Sequence, residues 1–129
     1  MADKYITYIT FTQYPRLVYI NKPYTYQAKL FSITEGKPLS GKTVYFSVNG
    51  RLTSTAVTDE NGLATVSIAI NTPGWHDVEA RFPGDETYDY SLTVVKVNAV
   101  MPPAIAVPWW IIILLLLLIA VVASIEKKE

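Results

Sequence analysis

Turn signals punctuate this chain about every ten residues from Lys4 to Val100, and that spacing restricts it to short strands. Pro15, Asn49-Gly50, Asn61-Gly62, Pro73-Gly74 and Pro83-Gly84 leave little room for a helix, and nothing between them carries apolar residues at helical spacing. The intervening segments are rich in Tyr, Val, Ile and Thr, which fit a pleated, half-buried surface. Nine tyrosines in 129 residues lean the same way.

The segments can be read one by one. Residues 5–12 and 17–20 are β-type runs separated by Pro15. Residues 24–33 alternate as Tyr24, Tyr26, Ala28 and Leu30, then change phase to Phe31 and Ile33, which predicts a bulge. A loop follows over 34–41. Residues 43–48 put Val44, Phe46 and Val48 on one face, and Asn49-Gly50 is a strong hairpin signal. The return run 51–57 is mostly Thr, Ser and Ala, as suits a sheet edge. Asp59-Glu60-Asn61-Gly62 is a turn in which Asp59 and Asn61 can bond nearby backbone and Gly62 can take positive φ. Residues 64–70 alternate (Ala64, Val66, Ile68, Ile70), and so do His76, Val78, Ala80 and Phe82. Residues 90–100 form a last strand, with a second phase change near Val94-Val95. The expectation is seven to nine antiparallel strands in a sandwich. A closed barrel is the rival, but it has no place for the polar edge at 51–57.

Composition narrows the chemistry. A folding unit of about a hundred residues can bury a core without metals or disulfides. There are no cysteines, which excludes a disulfide framework, a zinc-thiolate site and a thiol nucleophile. Eleven Lys/Arg balance eleven Asp/Glu, well interspersed, so nothing suggests nucleic acid as a partner.

Two stretches carry a resemblance. GKPLSGKTVYFSVNG (36–50) with STAVTDENGLATVSIAI (54–70), and TPGWHDVEARFPGDETYDYSLTVVKV (72–97), resemble the bacterial immunoglobulin-like domains. These are modules of invasin- and intimin-type adhesins and of many bacterial and archaeal surface proteins. The matching elements are a Pro-x-x-Gly loop before Val-x-Phe, then Thr-Asp-x-x-Gly-x-Ala-x-Val, Pro-Gly before Val-x-Ala-x-Phe, and Gly-Asp-x-x-Tyr. The resemblance implies an immunoglobulin-like β-sandwich and a role as spacer, adhesive or docking module. The matched positions build turns and strands and carry no chemistry. Tyr88 is expected to pack under its loop with its hydroxyl on backbone.

Candidate sites are few. His76 is the single histidine, in phase with Val78 and Ala80, as a strand-start core residue would be. Asp85, Glu86 and Asp89 share a loop and are weak calcium candidates, more so if Asp59 and Glu60 lie beside them. Their spacing matches no calcium loop, and solvated turn acids explain them better. Tyr5, Tyr8, Tyr14 and Tyr19 head an aromatic run that serves either as a protein interface or as cross-strand packing. No catalytic residue, cofactor, bound metal or small-molecule substrate is expected, and the chain reads as no enzyme.

The C-terminal part is different in kind. Residues 1–100 read as the sandwich, 101–108 as a Pro-rich linker, 109–125 as a transmembrane helix and 126–129 as a short charged tail. Residues 109–125 carry no charge, and the uncharged run extends back to Ala104. At about 1.5 Å per residue these two lengths span roughly 25 to 33 Å, bracketing a hydrocarbon core of about 30 Å. Trp109 and Trp110 suit one membrane interface, Lys127 and Lys128 the other. No polar residue interrupts the run before Ser124, so no ion path runs along it. Lys127 and Lys128 favour a cytoplasmic C-terminus and an extracytoplasmic sandwich. The counter-reading is a tail-anchored protein with a cytosolic domain. It draws on residues 1–15, which lack the apolar core of a signal peptide and begin with Met1. The expected function is that of a single-pass surface or structural protein. Its module would dock with membrane or envelope proteins, the chain itself among them, in an envelope or virion assembly. The alternatives are an accessory subunit of a membrane-bound enzyme or transporter and, more weakly, a calcium- or carbohydrate-binding module.

Overall fold

The computed structural model describes residues 3–103 and 108–127. Nine strands and one helix follow in order: β1 (Thr7–Gln13), β2 (Leu17–Tyr19), β3 (Pro23–Ser32), β4 (Lys37–Pro38), β5 (Thr43–Val48), β6 (Arg51–Val57), β7 (Leu63–Ala69), β8 (Gly74–Phe82), β9 (Ser91–Val100) and α1 (Trp109–Lys127). In one sheet β3 is central, flanked by β1 on one side and by β7 and the short β4 on the other. The second sheet runs β2-β9-β8-β5-β6. Their inner faces meet in one core, as in an immunoglobulin-like sandwich.

The core is the period-2 pattern made solid. Tyr26, Ala28 and Leu30 of β3 face Val44 and Phe46 of β5 and Val78 and Ala80 of β8, all fully buried. Full burial of a side chain the size of Val, Leu or Phe contributes about 1.5–3 kcal/mol, and that of an alanine methyl less. Asn49 and Gly50 both take positive φ, 51° and 82°, the backbone of a tight hairpin whose twist suits its strands. Strand β6 forms the sheet edge that its polar sequence suggests.

Four expectations need correction. The strands are not all antiparallel: β2 pairs parallel with β9, because the chain passes from one sheet to the other at Pro15. Strand β3 has no bulge at Phe31; its alternation continues through fully buried Ser32, and Ile33 is exposed. The irregularity lies opposite, in β1 between Phe11 and Gln13. Strand β9 likewise keeps phase: Val95, Val97 and Ala99 point inward, Val94 outward, in unbroken register with β8. The loop 34–41 holds the short strand β4.

Helix α1 forms over the expected segment. Its first turn follows Pro108, whose carbonyl accepts from the Ile111 N–H at 3.0 Å. From Ile112 to Ile125 every side chain is exposed. Among the described residues no helix is long and apolar enough to cross a membrane.

Candidate functional site

His76 sits at the start of β8, buried beside a cleft of about 360 Å³ lined by Asn49, Arg51, Asn71 and Thr72 among others. Its protonation pattern follows from its neighbours. The Asp77 N–H donates to Asn49 Oδ1 at 2.9 Å, so the Asn49 amide nitrogen faces His76 Nδ1 at 2.7 Å. Nδ1 must therefore accept, and Nε2 carries the proton, donating to the Thr72 carbonyl at 2.8 Å. Both ring nitrogens are engaged, and the imidazole pins the β5–β6 turn to the β7–β8 loop. This is the strand-start core histidine that its phase in the sequence suggests.

The opposite end of the sandwich gathers the acidic loop. Asp85 Oδ1 accepts from the N–H groups of Thr87 and Tyr88, at 2.9 and 2.8 Å. Its Oδ2 lies 2.6 Å from Lys42 Nζ, which also stands 4.9 Å over the Tyr88 ring. The Tyr88 hydroxyl donates to the Glu35 carboxylate at 2.5 Å and not to backbone, which corrects the expectation for that residue. Tyr5 packs edge-on against Tyr88 at 5.8 Å and bonds the loop backbone at Thr87 and Asp89. The Tyr88 hydrogen bond holds the Glu35 carboxyl below its usual range, and the same bond pushes the Tyr88 hydroxyl up to about 12. The Lys42 ammonium does for Asp85 what Tyr88 does for Glu35. Sequence reading missed this cluster, because Glu35, Lys42 and Tyr88 are brought together only by the fold.

The calcium candidates are not assembled into a site. Asp85 spends both oxygens on the contacts above, and Asp89 Oδ1 accepts from the Tyr90 N–H. Among the described residues no three His, Cys, Asp or Glu side chains gather as metal ligands, so Asp59 and Glu60 do not join Asp85, Glu86 and Asp89. Asp59 instead caps its own turn, accepting from the N–H groups of Asn61 and Leu63.

The four interface tyrosines do not form one surface. Tyr5 and Tyr8 lie toward the acidic end, since Thr7 pairs Ser32 and Tyr5 bridges Tyr88. Tyr14 is half-buried edge-on against Phe11, and Tyr19 stands at the other end beside Val100. Of the membrane-interface residues, Trp109 and Trp110 occupy the exposed first turn of α1, and Lys127 is the last residue of that helix. Lys128 lies outside the described residues, as does the linker over 104–107.

Sheet order, inward alternation and the parallel β2–β9 pair define the class: an immunoglobulin- or fibronectin-like β-sandwich. Solved structures bear this out. The CARDB domain of a Pyrococcus furiosus protein, in complex with di-metal ions, superposes with a TM-score of 0.54 at 16% identity, over 79% of this chain and 100% of that one. The CbhA fibronectin(III)-like modules of Clostridium thermocellum superpose with a TM-score of 0.53 at 16% identity, over 75% of this chain and 47% of theirs. No family model matches the sequence, and no curated protein matches it.

Proposed function

We propose that this chain is a non-enzymatic, single-pass membrane protein whose immunoglobulin-like module docks with other proteins of an envelope or virion assembly. The observation that carries the reading is the bare apolar surface of α1. Leu114 to Leu118 are 55–61% exposed, on every side of the helix. A helix without a polar face suits a medium that is apolar all round. The apolar side chains described run from Trp109 to Ile125, about 25 Å, short of a hydrocarbon core of about 30 Å. A shortfall of a few ångströms is met by local thinning of the bilayer and by flanking side chains that reach the interface. Trp109 and Trp110 then mark the outer interface, and Lys127 and Lys128 hold the C-terminus on the cytoplasmic side.

The non-catalytic reading is supported by His76, whose two ring nitrogens are already bonded. Isolation of the intact chain in mild detergent tests the functional reading. Co-purification of coat or envelope proteins, or of an ordered array of the chain itself, is the expected result. Stoichiometric recovery with cofactor-bearing subunits would replace it with an accessory role in a membrane enzyme.

A further inference from the structure

The end of the sandwich that leads to α1 differs from the other end in charge and in what it exposes. Strand β9 ends there at Val100, beside Tyr19 of β2, and Gly74 opens β8 opposite Ala99. The Arg16 carbonyl accepts from the Asn98 N–H, which fixes Arg16 next to the last residues of β9. Lys22 follows in the turn where the Asn21 N–H bonds the Ile70 carbonyl. Arg51 opens β6 directly after the hairpin turn and lines the cleft beside His76. Widely separated segments thus deliver three exposed cations to one end.

Among the described residues no carboxylate answers them. Glu35, Asp59, Glu60, Asp85, Glu86 and Asp89 all lie in turns at the opposite end. The nearest acid along β8, Asp77, is 3.0 Å from Lys96. Arg16, Lys22 and Arg51 enter no ion pair among the described residues. Around them Trp75 is 67% exposed, Leu17 57% and Tyr19 38%. Unpaired cations beside amphipathic rings match the interfacial layer of a bilayer, where rings settle among headgroups and cations meet lipid phosphates. The tether is short: eight residues separate Val100 from Trp109, nine steps that reach at most about 32 Å fully extended, and three of the eight are proline.

We propose that this end of the sandwich docks on an anionic bilayer surface, with Arg16, Lys22 and Arg51 on headgroup phosphates and Trp75, Tyr19 and Leu17 in the interfacial layer. The inference rests on the anchor reading above. Docking orients the module and presents its acidic end away from the membrane, toward a partner.

Trp75 is the one tryptophan outside α1, so the full chain reports on docking directly. Two variants are reconstituted into nanodiscs of phosphatidylcholine with or without phosphatidylglycerol, using lipids brominated high on the acyl chain. W109F/W110F leaves Trp75 alone; W75F leaves the two helix tryptophans. Trp75 emission is expected to shift to the blue and be quenched in the anionic discs only. Adding R16Q/K22Q/R51Q, with unchanged melting temperature, lowers the docked-to-undocked ratio about a hundredfold. High salt acts in the same direction. If Trp109 and Trp110 are quenched but Trp75 behaves alike in both discs, docking on lipid is overturned, the anchor stands, and the basic end is left for an acidic protein. If Trp109 and Trp110 escape quenching, the anchor reading itself fails.

Discussion

At the scale of single residues, one buried side-chain polar atom among the described residues has nothing to bond. Tyr26 is fully buried on β3, and its hydroxyl has no hydrogen-bond partner. Burial, with a smaller push from Tyr24, raises that hydroxyl to about 12. An unbonded buried hydroxyl costs free energy that a phenyl ring does not. Tyr26→Phe is therefore expected to raise stability by about 1 kcal/mol at neutral pH, read by chemical denaturation. The sign of the pH effect follows from the raised value. Tyr26 keeps its proton in the folded chain while an unfolded tyrosine loses it near pH 10, so stability falls as pH rises from about 10 through about 12. Tyr88 titrates in the same window, so the informative quantity is the difference between wild type and Tyr26→Phe, which should widen with alkali. Equal or lower stability of Tyr26→Phe at both pH values would mean that the hydroxyl is satisfied. The inward placement of Tyr26 was legible from its phase with Ala28 and Leu30. Its orphaned hydroxyl was not, since pattern gives the face a residue occupies and not the atoms it meets there.

At the scale of elements, the turns read from sequence differ in how tightly the fold holds them. Gly50 takes φ +82° in open space, whereas Gly62 takes φ +78° with the Leu30 carbonyl 2.5 Å from where a Cβ would stand. Gly50→Ala should cost about 1–2 kcal/mol from the left-handed backbone alone. Gly62→Ala adds a clash with main chain and should cost roughly 3 kcal/mol or more. Thermal melts of the two variants check the order; equal losses would show that β3 and its neighbouring turn yield freely. Turn positions were legible because Asn-Gly and Asp-x-x-Gly have local backbone causes. Strand phase was misread where apolar side chains line an outer face. Phe31 pairs Tyr8 across the outside of the first sheet, and Leu92 and Val94 stand on the outside of the second, while Ser32 takes the inward place. Reading every apolar residue as inward produced the false bulge in β3 and the false phase change in β9. The parallel β2–β9 pair was invisible for another reason: three residues carry no signal of direction.

At the scale of the whole molecule, charge is sorted by end, acids at one and unpaired bases at the other, although along the sequence the two signs are mixed. Strand order creates that separation, so net charge and linear spacing gave no hint of it. The sandwich, by contrast, was legible from turn spacing and alternation. The helix was legible from the Ile/Leu run over 111–119, and its membrane role is the proposal on which partner, orientation and docking all depend. Protease added to sealed cells that carry the chain with a C-terminal epitope tests that role most directly. The account predicts that the sandwich is cleaved away and that a short tagged fragment containing α1 survives and sediments with membranes. Full protection of the chain would place the sandwich on the inner side, and loss of the tagged fragment or its release into the soluble fraction would contradict a spanning α1.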